Sequence, residues 1–476
     1  MALTATATLP RFIVIKPRFQ NISCISYKDE YGGVPGSVVN VGEGVFSTLV
    51  KIEVEPATTH DNYVHLRFYH SNNYIGRGVS SGVVAQWKQP EEDISNVRCT
   101  LFEATSADGN AGAFRFTHVQ SGWLMQLNAS TDRVVLMASI YPSDGYFDIV
   151  DWDTLVKLPA HVAFKGDNGK YLKAYYTGVT YLHFSSSDAN EVYSGHTVEL
   201  MPDGHVRIKS LHTGNLWSRK TIDFLNITTI QADTSDDDAG ADTLFWPVKI
   251  DDNTIALRNK GNNSFCNRQN TTDVTGLLID GILVPGVPTI TREARLGVEE
   301  LVLQRRIYNV RYRMEDARIF GETPYLAGTT TVFNESDHEA SIAVAITYED
   351  QRSYSFSRSL SLTAGITSTI ETNVLGIVNA SIQVSYQING TFEWNDTTTT
   401  TTSITATGGV PVPPRSTAVV SYVGTRGTCN VPFSYVQQDR SSTDGRVSET
   451  KQIDGIYNGV NCYNFSFVVE KTISHP

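Results

Sequence analysis

The sequence predicts an all-β protein. Three observations carry the prediction. Strand–turn–strand fragments recur from Cys24 to Phe265, a two-residue alternation of apolar and hydroxylated side chains fills the C-terminal third, and one short stretch alone has helical spacing. At 476 residues the chain is long enough for several buried cores and roughly two to four domains.

The recurring fragments are "RFQNISCIS" around Cys24, "FYHSNNYIGR" around Tyr74, "THVQSGWLMQ" around Trp123, "FKGDNGKYLKAY" around Tyr171, "SLHTGNLWSR" around Leu216 and "NKGNNSFCNR" around Phe265. Each reads as a strand, a turn rich in Asn, Gly or Ser, and a returning strand opened by a large apolar residue. The anchors stand about 45 to 50 residues apart and fall as three plus three. Three hairpin units closing a barrel make a β-trefoil, so two tandem β-trefoil domains are expected. Their seam lies near "IVDWDTLVKLP", Ile149 to Pro159.

The stretches "KIEVEP" (Lys51 to Pro56), "CTLF" (Cys99 to Phe102), "HVQ" (His118 to Gln120), "IVDW" (Ile149 to Trp152) and "FKGDNGKYL" (Phe164 to Leu172) add a family resemblance. Residues from about 10 to 305 resemble the paired trefoils of amaranthin-type plant lectins, with domains at 10–155 and 156–304. The resemblance implies glycan binding, to galactose- or N-acetylgalactosamine-containing structures such as the T-antigen disaccharide, in shallow sites where protomers of a dimer meet. The chain departs from that family at "RGVSSGVVAQW", Arg77 to Trp87, where the family carries Asn and aromatic residues. Aromatic faces stack on sugar C–H surfaces and planar amides read hydroxyl pairs, so specificity is expected to be redirected. The candidate carbohydrate-binding residues are Tyr74, Arg77, Ser80 and Ser81, with Gln120 from the next hairpin.

Beyond Pro288, "TREARLGVEELVLQRR" predicts a short helix linking the lectin pair to the C-terminal third. From Ile307 the composition turns to Ser, Thr, Val and Tyr, predicting an elongated antiparallel sheet over 305–476 whose strands "GGVPVPPRST" interrupts. Within it, "SYSFSRSLSLTAGITSTI" (Ser353 to Ile370) alternates apolar with hydroxylated residues, and the alternation resumes from Val378 to Ile388. The two runs predict an amphipathic hairpin over about 354–388 with its turn in Glu371 to Ile377.

This hairpin and the "VPVPPRSTAVV" strand resemble the aerolysin-like pore-forming family, in which such a hairpin inserts into the membrane. A strand crosses the hydrocarbon in about 9–11 residues, and unpaired backbone groups are costly there, so hairpins from several protomers must close a barrel together. The side chains expected against lipid are Leu360, Leu362, Ala364, Ile366, Ile370, Val378, Ile382 and Val384. Between Ser353 and Gly390 only Arg358 and Glu371 are charged.

Other classes find little support. A net charge of -12 without a basic stripe argues against nucleic acid. The N-terminus lacks a basic region followed by an apolar core, so no secretory signal is read, and cytoplasmic or nucleocytoplasmic synthesis is expected, with action at target-cell membranes. Of five cysteines, only Cys429 and Cys462 are candidates to pair. "GVSSG", Gly78 to Gly82, matches a nucleophile motif in letters but lies in a β-hairpin region. His60, His65 and His70 read as strand-surface residues, and "DTSDDDAGAD" as a solvated acidic loop. No catalytic, metal or cofactor site is expected. The resulting expectation is a lectin that binds cell-surface glycans, self-associates and opens a membrane pore, in a plant-defence setting. The alternative is an oligomeric lectin whose C-terminal domain serves assembly alone.

Overall fold

The computed structural model describes residues 9–18, 23–107, 110–138, 145–176, 180–222, 227–272, 278–358, 362, 366 and 368–475. They form two compact units. The first comprises 1–305 with 359–366 and 438–448, the second 306–358 with 367–437 and 449–476. Strands dominate both, and every described helix is a three-residue 3-10 turn.

The first unit contains two twelve-stranded sheets, and ten strands of each close into a barrel. In the first, Asn110–His118 pairs with Trp123–Asn128 and so closes the ring that runs through Phe12–Pro17 and Tyr146–Asp151. Alternation sends Ile13 and Ile15 into the barrel core with Phe68, Phe102 and Phe116. Val14 points the other way, into a cluster with Cys24, Val45, Val50 and Leu155 that also takes in Trp246 of the second sheet. The Val45 N–H donates to the Pro202 carbonyl at 3.0 Å and joins the barrels through backbone as well.

Five of the six hairpin anchors have the turn that the sequence predicts. A left-handed residue occupies each: Asn72, Gly122, Gly169, Gly214 and Asn263, with φ of 53°, 66°, 74°, 72° and 58°. Asn and Gly tolerate that conformation at least cost. The "RFQNISCIS" anchor crosses 19–22, outside the described residues.

The second barrel centres on Trp217, fully buried, with Phe164 and Phe245 at ring distances of 5.3 and 6.1 Å. Its indole N–H donates to His196 Nδ1 at 3.3 Å, and His196 Nε2 donates to the Leu172 carbonyl at 3.3 Å.

The second unit is built on an eight-stranded sheet. Its strands are β1 (Val302–Tyr312), β2 (Arg318–Asn334), β3 (Ala340–Ser357), β4 (Ser368–Val378), β5 (Ser381–Phe392), β6 (Thr397–Val412), β7 (Ser416–Ser441) and β8 (Val447–Ser474). The order across the sheet is β5-β4-β1-β7-β8-β3-β6, with β2 paired to β7.

One expectation is corrected here. "TREARLGVEELVLQRR" forms no helix: it supplies strand Leu296–Glu300 and the start of β1. One of its charges is taken out of solvent: Arg305 is 2% exposed and its guanidinium bonds Glu300 and Asp439, each at 2.7 Å. Tertiary pairing of this kind outweighs helix propensity. The proline segment interrupts the strands as expected, β6 ending at Val412 and β7 starting at Ser416; Pro411 is still within β6, a sheet edge where a residue without an N–H is tolerated.

Burial lowers the His196 pKa to about 4, offset in part by its bond to Leu172. The ring is therefore neutral in the fold. As pH falls below about 6.5 the unfolded chain takes up the proton that folded His196 refuses, so stability is lost between about pH 6.5 and 4, by roughly 3 kcal/mol at the lower end. A His196→Gln variant should lose less stability than the parent over that interval in denaturant titrations at each pH. The parent ring should show no proton uptake by NMR above about pH 5.

Candidate functional site

Strands Asn73–Arg77 and Val83–Trp87 are joined by a tight loop. The Gly78 N–H donates to the Gly82 carbonyl at 2.7 Å and the Gly82 N–H to Val79 at 3.1 Å, and Ser80 and Ser81 are both left-handed, with φ of 53° and 65°. Such backbone costs a side-chain-bearing residue about 1–2 kcal/mol. The loop lifts Val79 into solvent, 92% exposed, at the rim of a groove of ≈ 770 Å³. Arg77, Trp87, Val97, Arg98 and Arg133 line it, with Gly33 to Pro35.

The second feature is the β4–β5 hairpin. Its two-residue turn is Asn379–Ala380, both left-handed (φ 49° and 58°), the backbone of a tight hairpin. The sequence of β5 alternates, with Ile382, Val384, Tyr386 and Ile388 between Ser381, Gln383, Ser385 and Gln387. Opposite it the register slips once, because Val374 faces Tyr386 and Leu375 faces Val384, leaving Ser385 as the extra residue of a bulge. Gly376 makes room for it: a Cβ there would come within 2.8 Å of the Ser385 hydroxyl.

Ile370, Val374, Leu375 and Ile377 are buried in a cluster with Phe433 and Tyr457. Near the tip, side chains of β8 replace a neighbouring strand. Tyr457 Oη accepts from the Leu375 N–H at 3.1 Å and donates to its carbonyl at 2.6 Å. Asn461 accepts from the Ile377 N–H at 2.8 Å and donates to its carbonyl at 2.9 Å. At the base, a cavity of ≈ 430 Å³ lies among Tyr354, Phe356, Ile370, Ile388 and Phe392.

Compared with known proteins, residues 40–140 match the Agglutinin domain. The first barrel carries an agglutinin domain. Natterin-2 and Natterin-1 of Thalassophryne nattereri are each 26% identical to the chain over 139 residues, which is 29% of this chain and 37% and 39% of theirs. The chain thus matches well under half the length of these relatives. They come from a fish, and the plant-defence setting and the amaranthin type draw no support from them. Among solved structures, the hemolytic lectin CEL-III is similar over 96% of this chain and 94% of its own (12% identity, TM-score 0.30), and the lamprey immune protein over 78% and 90% (11% identity, TM-score 0.30). An aerolysin-like protein of Bombina maxima is similar over 36% and 99% (9% identity, TM-score 0.24). At such scores the likeness decides neither fold nor function.

Within the agglutinin domain the predicted residues separate. Tyr74 is fully buried and its hydroxyl donates to Glu55 at 2.6 Å, so it supports the barrel and offers no stacking face. Arg77 lines the groove. Gln120 positions it, with Oε1 3.5 Å from the guanidinium, and the Trp123 ring lies 5.3 Å away. Ser80 and Ser81 shape the loop. Trp87, Arg98 and Arg133 were not among the predicted residues; Trp87 closes the departing stretch "RGVSSGVVAQW", whereas Arg98 comes from another loop and Arg133 opens the strand Arg133–Met137, and neither carries a local signal.

His65 and His70 are buried rather than on a strand surface, His65 lying 2.9 Å from the Thr100 hydroxyl and 3.4 Å from Glu92. In the acidic loop, Asp233, Asp236 and Asp242 pair with Lys220, Lys209 and Arg219, each at 2.7 Å. All five cysteines are free, which removes the Cys429–Cys462 pair; burial pushes the Cys429 thiol up to about 12.

The hairpin differs from its prediction in register. Tyr354 and Phe356 belong to β3, which pairs with β6, and β4 runs straight through the predicted turn. Ile370, Ile382 and Val384 belong to the hairpin, but Val378 faces Ser381 instead of joining the apolar side. Leu362 is 3% exposed in the core of the second barrel, and Ile366 is half-buried outside the hairpin. Leu360 and Ala364 lie outside the described residues.

Asn461→Leu should free the hairpin tip. It leaves the buried N–H and carbonyl of Ile377 without partners, at about 1–3 kcal/mol each. Hydrogen exchange over 368–392 should accelerate roughly tenfold or more, while exchange in the first barrel is unchanged. Identical exchange in parent and variant would show that Asn461 does not hold the tip.

Proposed function

We propose that this chain is a non-enzymatic lectin that binds cell-surface glycans through its agglutinin barrel and inserts the β4–β5 hairpin into the membrane as part of an oligomeric β-barrel pore. In this reading the two barrels are β-trefoils, and surface binding concentrates protomers for assembly. Galactose- or N-acetylgalactosamine-containing glycans are the class that the amaranthin resemblance implies.

One observation carries the proposal: the composition and placement of the hairpin. Its arms of 11 and 12 residues match the about 9–11 that span the hydrocarbon when tilted. Glu371 is the only charge from Ser368 to Phe392, and the hydroxyl and amide side chains of β5 suit a wet lumen. The hairpin also lies at the margin of the sheet, since β5 is the edge strand and the tip of β4 is fastened by side chains, so that β1 is the one strand it would have to leave.

Val384 separates the two states. It is 61% exposed in the soluble fold and faces lipid in the pore. Val384→Arg should leave the unfolding midpoint and sugar binding unchanged and abolish dye release from vesicles of erythrocyte lipid, because each protomer pays about 2–4 kcal/mol for a central charge. Gln383→Arg, on the opposite face, should still leak. Equal leakage by the parent and Val384→Arg sinks insertion; a parent that binds without leaking is an assembly lectin.

A further inference from the structure

We propose that the groove on the agglutinin barrel takes an acidic saccharide, one whose ring carries a carboxylate or a sulfate; this deepens the sugar-binding reading and rests on it. Acidic residues outnumber basic ones in the whole chain, 50 to 38, yet the groove is lined by Arg77, Arg98 and Arg133 and by no Asp or Glu. Among the described residues none of the three is ion-paired.

Neutral partners orient two of them without cancelling their charge. Arg77 is set by the Gln120 carbonyl oxygen and the Trp123 ring. Arg133 donates to the Tyr31 and Gly32 carbonyls, with its guanidinium 5.8 Å from the Tyr31 ring. Arg98 is exposed. A cleft lined by one sign of charge focuses its field on an entering anion, and a guanidinium matches the two oxygens of a carboxylate or sulfate.

The rest of the groove suits a sugar ring rather than a bare ion. Trp87 and the exposed valines Val79 and Val97 offer apolar surface to ring C–H groups, and ≈ 770 Å³ lies within the range of small-ligand sites, about 300–1,000 Å³. A bilayer of anionic headgroups would meet a convex patch better than a concave groove, and a net charge of -12 disfavours a polyanion that contacts the wider surface.

The test is calorimetric titration of the full chain with 3′-sialyllactose, a chondroitin sulfate tetrasaccharide, lactose, and sugar-free phosphatidylserine vesicles. One acidic saccharide should bind at least about tenfold tighter than lactose, weakening as salt rises, and which one binds tells carboxylate from sulfate. Arg98→Gln and Arg77→Gln, each with an unchanged unfolding midpoint, should each weaken that binding about tenfold. Full affinity in both variants removes the ligand from this groove and overturns the proposal. Lactose bound as tightly as the acidic sugars overturns the acidic assignment and leaves sugar binding intact. Vesicles bound as tightly as the best saccharide point to a lipid headgroup and overturn it too. If no saccharide binds while the parent still lyses cells, the sugar-binding reading falls, and this inference with it.

Discussion

A backbone N–H or carbonyl cannot be left unpaired in a protein interior or in lipid, and this constraint governs the β4–β5 hairpin in either setting. In the soluble fold β5 satisfies one edge of β4, β1 pairs with the other, and Tyr457 and Asn461 serve that edge near the tip. A full neighbouring strand there would add a ladder of cooperative bonds. Two side chains add four bonds, net about 0.5–1.5 kcal/mol each, and pair the N–H and carbonyl of both Leu375 and Ile377. The tip is thus ordered and fastened lightly, while further along β4 pairs with β1 and the Tyr312 hydroxyl bonds Thr372; release of the tip is the first step for an element with two stable arrangements.

The groove on the first barrel rests on a different constraint. Ser80 and Ser81 adopt left-handed backbone where glycine would be easier, and the strain is held by the two bonds between Gly78, Val79 and Gly82. The arginines follow the same logic, because Gln120 and the Tyr31 carbonyl use their donors without neutralising them. A carboxylate in either place would have made a buried structural pair, as Glu53 and Glu55 do around Arg67 in the same barrel.

How much could be read in advance depends on where each signal lies. The hairpin turns were legible because Asn72, Gly122, Gly169, Gly214 and Asn263 announce a left-handed backbone locally. Asn379–Ala380 makes a tighter turn but sits inside an unbroken alternation, with no glycine to mark it. The bulge at Ser385 hid the buried set Val374, Leu375 and Ile377, since a one-residue slip breaks the period on one strand only. Tyr74 beside a turn reads alike whether it faces solvent or core, and its burial is decided by Glu55, 19 residues away. Arg98 and Arg133 meet Arg77 only after the barrel closes.

The burial of the hairpin is uneven, and the unevenness decides where any gain from lipid arises. Ile370, Val374, Leu375 and Ile377 already lie out of water against Phe433 and Tyr457, so moving them into a bilayer exchanges one apolar setting for another. Val384 and Tyr386 on β5 are 61% and 42% exposed, and burial of such side chains is worth about 1.5–3 kcal/mol each when complete. The driving force therefore sits on the edge strand, while β4 supplies the resistance through its core contacts, its pairing with β1 and its four tip bonds. Several protomers moving together multiply the gain on β5, and pairing β4 to a neighbour's strand replaces the bonds given up to Tyr457 and Asn461. A lone protomer gains the first term without the second, which is why release of this hairpin favours assembly over solitary insertion.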